Sequence, residues 1–131
     1  MNLLSIVSYV YRWLPEKVMY VFNELYSNGS VVASSLDLLD RYLNTRYRNA
    51  IKKMEEMIPI EYPGAPLRFY TVEIYVKGNM ILAVSYNEED NIAIIFETFA
   101  ENPHAIENLL MARLIIEYVT IETFKHYHRI S

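Results

Sequence analysis

The run Arg41-Tyr-Leu-Asn-Thr-Arg-Tyr-Arg-Asn-Ala-Ile-Lys-Lys53 holds Arg41, Arg46, Arg48, Lys52 and Lys53, five of the chain's 12 basic residues, and no acid. The other 7 basic residues are set against all 16 acids. Positive charge gathered on one short segment of an acidic protein suits a polyanion, and nucleic acid is the commonest such partner. The residue types suit that task as well. Arg reaches guanine through two parallel N–H donors, and Asn does the same for adenine. Thr and Lys hold phosphates and set register. On a helix starting at Asn44, positions 45, 48, 49 and 52 share one face. Tyr47, Ile51 and Met54 fall on the opposite, core-facing side. The expected nucleic-acid contacts are therefore Asn44, Thr45, Arg46, Arg48, Asn49, Lys52 and Lys53, with Arg46, Arg48 or Asn49 at base edges.

Other chemistry finds little support. His126 and His128 stand at i and i+2, which on a helix point apart, and no third ligand is evident, so no metal is expected. Glu88-Glu89-Asp90 lacks the spaced oxygens of a calcium loop and reads as a solvated hairpin tip. Gly29, Gly64 and Gly78 are isolated, so no glycine loop cradles a phosphate. Neither Gly-x-Ser-x-Gly nor His-Glu-x-x-His occurs. With no cysteine, disulfides, thiolate zinc sites and cysteine nucleophiles are excluded. The chain reads as non-enzymatic and without a cofactor. Arg68, at a strand edge, is a weaker phosphate candidate.

These residues need a frame. A chain of 131 residues with 53% hydrophobic and 21% charged residues is a single domain, 1–131, with its own core. The spacing predicts helices over 3–14 and 15–27, the second starting at Pro15 and carrying Val18, Val21, Phe22 and Leu25. Ser34 or Ser35 caps a helix carrying Leu36, Leu38 and Leu39. Asn44 or Thr45 caps the next. Whether 34–57 is one helix or two stays open, because no Gly or Pro divides it. Residues 59–66 form a loop, after which the period changes to two. Strands are expected over 68–76, 80–86 and 92–99, a three-stranded antiparallel meander. Asn102-Pro103 opens a long C-terminal helix running to about residue 127. Its apolar residues are wider than one stripe. Such a helix is either central to the domain or buried against a second copy, and a homodimer through 103–127 is expected. The fold class is α+β: a helical N-terminal half, the meander and the long helix. The apolar N-terminus is too short to span a bilayer and lacks the features of a signal peptide.

Residues 18–76 resemble the winged-helix family of DNA-binding domains. Phe22-Asn-Glu-Leu-Tyr-Ser-Asn-Gly-Ser30 looks like the end of the first helix and its turn. Val31-Val-Ala-Ser-Ser-Leu36 looks like the short strand leading into the second helix. Residues 44–57 look like the recognition helix, and Tyr62 onward like the wing. The resemblance implies a transcriptional regulator on double-stranded DNA, with residues 80–131 adding strands and a dimerisation helix. In composition the chain is also similar to small proteins of viruses of hyperthermophilic archaea, being short, rich in Tyr and Ile and free of Cys. That likeness implies a location in the host cytoplasm or in the virus particle. The alternative function is a structural or assembly protein of such a particle, in which apolar helices and tyrosines make protein contacts.

Overall fold

The computed structural model describes residues 15–128, with side chains described from residue 20. The helix expected over 3–14 lies outside the described residues. Helix α1 (Pro15–Ser27) is followed by β1 (Ser30–Ser34), α2 (Leu36–Asn44), β2 (Ile51–Ile60), β3 (Arg68–Lys77), β4 (Met80–Asn87), β5 (Ile92–Phe99) and α3 (Ile106–His128). The strands form one antiparallel sheet in the order β1-β5-β4-β3-β2. The fold is α+β, with the long helix at its C-terminal end.

Three strands lie where the period of two puts them, but they are the middle of a five-stranded sheet and not a meander of three. The helical half is also corrected. Residues 45–49 are a turn, and 51–60 are strand β2, where a recognition helix is expected. The apolar spacing of Tyr47, Ile51, Met54 and Ile58 mimics a helix. A shorter period runs through the same segment. Met54, Glu56, Ile58 and Ile60 face one side, opposite Ile74, Val72, Tyr70 and Arg68 of β3. The outer edge of β3 needs a partner for its N–H and C=O groups, and this need outweighs local helix preference. Pro59 is tolerated because β2 is an edge strand. Helix α3 also begins later than Pro103, at Ile106.

Alternation along the strands divides the core into two layers. Ile74, Ile81, Ala83, Ile94 and Phe96 face α1 and α3. Leu82, Val84, Ala93 and Ile95 face α2 and Tyr47. The central strands β4 and β5 are thus covered on both sides, which is why they read as nearly unbroken apolar runs. Helix α3 buries Leu109, Leu110, Met111, Ile115, Ile116 and Phe124. Each such side chain stabilises the fold by about 1.5–3 kcal/mol. Much of its apolar surface is thus used within one chain, while Ile106, Tyr118 and Tyr127 stay exposed. Arg113, fully buried on α3, donates to Glu56 (3.2 Å) and to Glu117 (2.7 Å). That ion cluster ties α3 to β2. Gly29 lets α1 turn closely into β1. A Cβ there would collide with the Phe96 ring and lie 2.9 Å from the Glu97 carbonyl oxygen.

Candidate nucleic-acid interface

The basic run sits at one corner of the fold, over the end of α2, the 45–49 turn and the start of β2. Helix α2 closes with the Thr45 N–H on the Arg41 carbonyl (2.9 Å). The Asn44 side-chain amide donates to the Asp40 carbonyl (2.8 Å), and the Thr45 hydroxyl donates to that of Arg41. The chain then reverses. Tyr47 N–H donates to the Tyr42 carbonyl (2.8 Å) and Ala50 N–H to the Tyr47 carbonyl (3.0 Å). Asn49 adopts φ 67°, a left-handed conformation that Asn tolerates better than most residues.

Tyr47 pegs this turn to the sheet. Its ring is buried among Leu39, Leu82 and Ile95, and its hydroxyl donates to Glu97 Oε2 at 2.6 Å. Burial and then the bond to Glu97 push the Tyr47 hydroxyl pKa well above its ordinary value, so it stays protonated. Arg46 approaches the same carboxylate at 3.4 Å. The Arg46 side chain is 62% exposed and that of Glu97 only 8%, so the buried charge in this pair is the carboxylate's. Lys77 Nζ donates to the Arg46 carbonyl (3.1 Å), joining the end of β3 to the turn.

A second buried carboxylate holds Lys52. Lys52 Nζ lies 2.9 Å from Glu73 Oε2 and 3.5 Å from Glu55. The Tyr75 hydroxyl donates to the other Glu73 oxygen at 3.2 Å. The hydrogen bond to Glu73 raises the Lys52 pKa and keeps it an ammonium ion. Burial, and then the charge of Glu73, push Tyr75 up to about 12.

The expected contact residues therefore divide. Asn44 and Thr45 bond back to their own helix, and Asn49 serves the turn. Arg46 and Lys52 are held by Glu97 and Glu73. Arg48 and Lys53 are exposed and have no acid partner among the described residues, and the same holds for Arg41. Sequence reasoning missed Lys77, which the β3–β4 hairpin brings to this corner. It also missed Glu73 and Glu97, whose role depends on which strands are neighbours. Alternation in β3 did place Glu73 on the same face as Tyr75. Arg68 is engaged elsewhere, by Asp90 (3.2 Å) and Glu89 (3.6 Å) at the β4–β5 turn.

The corner is thus an exposed set of six cations, Arg41, Arg46, Arg48, Lys52, Lys53 and Lys77, set against Asp40, Glu55, Glu73 and Glu97 nearby. Its pairing leaves Arg41, Arg48, Lys53 and Lys77 available for anions. Comparison with protein-family models, with curated proteins and with solved structures gives no match.

Proposed function

We propose that this protein is a non-enzymatic DNA-binding protein that grips the phosphate backbone with this corner. The observation that carries the reading is the convergence of half of the chain's 12 basic residues on the end of α2, the turn after it and the strand ends beside it. The last turn of α2 presents Arg41, and the 45–49 turn and two strand ends present the other five. The base-reading roles expected of Arg46 and Asn49 lose their frame, because no helix there can enter the major groove. Arg46 is tied to Glu97 and Asn49 shapes the turn. Phosphate contacts from Arg41, Arg48, Lys53 and Lys77 remain, and phosphate contacts carry affinity and position rather than sequence. A regulatory role on double-stranded DNA is compatible with this surface, with sequence choice arising elsewhere or from DNA shape.

The test is binding to labelled duplex DNA across a salt series. Each phosphate contact adds about 0.9 to the slope of log affinity against log salt. Arg48→Ala/Lys53→Ala should reduce that slope by roughly two while the thermal melt stays unchanged. Arg46→Ala and Lys52→Ala should act more on stability than on the slope. Absence of binding at low salt, or a slope indifferent to Arg48 and Lys53, refutes the proposal.

A further inference from the structure

The sheet has two edges, and the chain treats them differently. The β2 edge carries Lys52, Lys53, Glu55 and Glu56, a register shift between Lys52 and Met54, and Pro59 without an N–H. Charge, bulge and proline are the devices that stop another strand from adding to an edge. The β1 edge has none of them. Its sequence is Ser30-Val-Val-Ala-Ser34, and its pairing with β5 runs unbroken through all five residues. Val31 and Val32 are 41% and 36% exposed. Among the described residues no strand pairs with its outer side.

We propose that two copies of this chain join β1 to β1, antiparallel, into one continuous sheet. An open row of N–H and C=O groups calls for a strand as its occupant. Of the two edges this chain offers, β2 is blocked and β1 is neutral. Pairing β1 with itself closes about a two-fold axis and stops at two copies, whereas β1 on β2 would propagate without end. In the register that pairs all five residues, Val32 meets Val32, Val31 meets Ala33 and Ser30 meets Ser34. Apolar pairs, Val on Val and Val on Ala, then fill the centre, with hydroxyls at the ends and no charge opposite a like charge.

The surroundings support the same occupant. Beside Ala33 an open groove of about 550 Å³ separates β1 from α3, lined by Tyr26, Tyr118, Val119 and Tyr127. The two-fold axis of antiparallel strands stands perpendicular to the sheet. Both α3 helices therefore lie on the same face, and the two grooves open toward each other. Tyr118 (53% exposed) and Tyr127 (61% exposed) would then be shared between copies, as tyrosines commonly are at interfaces. This interface does not depend on the DNA reading: Lys52 and Lys53 stand on the opposite edge strand β2, and Arg46, which reaches Glu97 on β5, is no part of the β1 pairing.

The experiment is sedimentation velocity of the full chain from low micromolar concentration upward, with three variants. The wild type should reach twice the 15.5 kDa chain mass and grow no further. Val32→Lys sets like charges across the axis and should give a folded monomer, with the circular dichroism spectrum of the wild type and a melt that no longer depends on concentration. Because the chain has no cysteine, Val32→Cys should oxidise to one covalent pair, while Met57→Cys on the β2 edge should not. The cysteine result stands even if the lysine variant fails to fold. A wild type that stays monomeric overturns the proposal. So does a dimer in which Val32→Cys gives no cross-link, or cross-linking at Met57→Cys as readily as at Val32→Cys.

Discussion

Replacing Tyr47 by Phe removes one hydroxyl and keeps the ring that fills the core between α2 and the sheet. The lost bond is the 2.6 Å donation to Glu97, whose side chain is 8% exposed. A hydrogen bond to a buried charged group is worth about 1.5–3 kcal/mol. Arg46, at 3.4 Å and largely in solvent, compensates only in part, because an exposed pair contributes about 0–1 kcal/mol. The expected loss is therefore about 2 kcal/mol. With a urea m-value of about 2 kcal/mol per M, the midpoint should fall by roughly 1 M at unchanged slope. Urea unfolding followed by circular dichroism reads this directly. The same variant keeps every cation of the corner while loosening the turn that presents Arg48. DNA affinity should drop at constant salt slope, since the number of phosphate contacts is unchanged. A Tyr47→Phe chain within about 0.5 kcal/mol of wild type would show that the Glu97 bond does not hold the turn, and the reasoning about this corner would fail with it.

Tyr70, pushed up to about 12 by burial and then by the charge of Asp90, sets an alkaline limit. Its unfolded form ionises near 10, so the stability it contributes is complete below pH 10 and is lost as pH rises toward 12, at about 1.4 kcal/mol per pH unit. Denaturation curves between these pH values should be flatter for Tyr70→Phe than for the wild type. Gly29→Ala should destabilise by about 1–3 kcal/mol through overpacking against Phe96 and Glu97, seen as a lower midpoint in thermal melts. Arg113→Met should cost about 3–5 kcal/mol, because Glu56 and Glu117 are left beside an apolar side chain. Replacing all three members by Met, Met and Leu should recover much of that loss in the same assay.

Elements whose signal is local were legible in the sequence. Helix α1, helix α3 and strands β3, β4 and β5 follow from spacing, turns at Gly78 and Asn91, and the change of period at Arg68. Strand β2 was not legible, for two physical reasons. Tyr47, Ile51, Met54 and Ile58 recur at helical intervals although Tyr47 and Ile58 end on opposite faces of the sheet. Glu56 interrupts the inward-facing pattern, and its partner Arg113 lies 57 residues further on. At the site, the cations were found because charge clusters survive any fold. The carboxylates that claim two of them were not found. Glu73 and Glu97 meet Lys52 and Arg46 only through strand order, and β1 shows nothing of its remote partner β5.

That remote partnership sets a sequence of events in time. Residues of β1 and their mates in β5 stand 59 to 67 positions apart, from Ser34↔Ala93 to Ser30↔Glu97, whereas β3, β4 and β5 are joined by short hairpins. Local hairpins close early, and the long-range pairing waits on them. At a synthesis rate of about 5–20 residues per second, β1 is made roughly 3–13 s before the last residue of β5. Throughout that interval both sides of an uncharged strand are bare. Of the described strands the first to be born is the last to be sheltered, and a nascent chain beside another of its kind meets that strand before its own fold does.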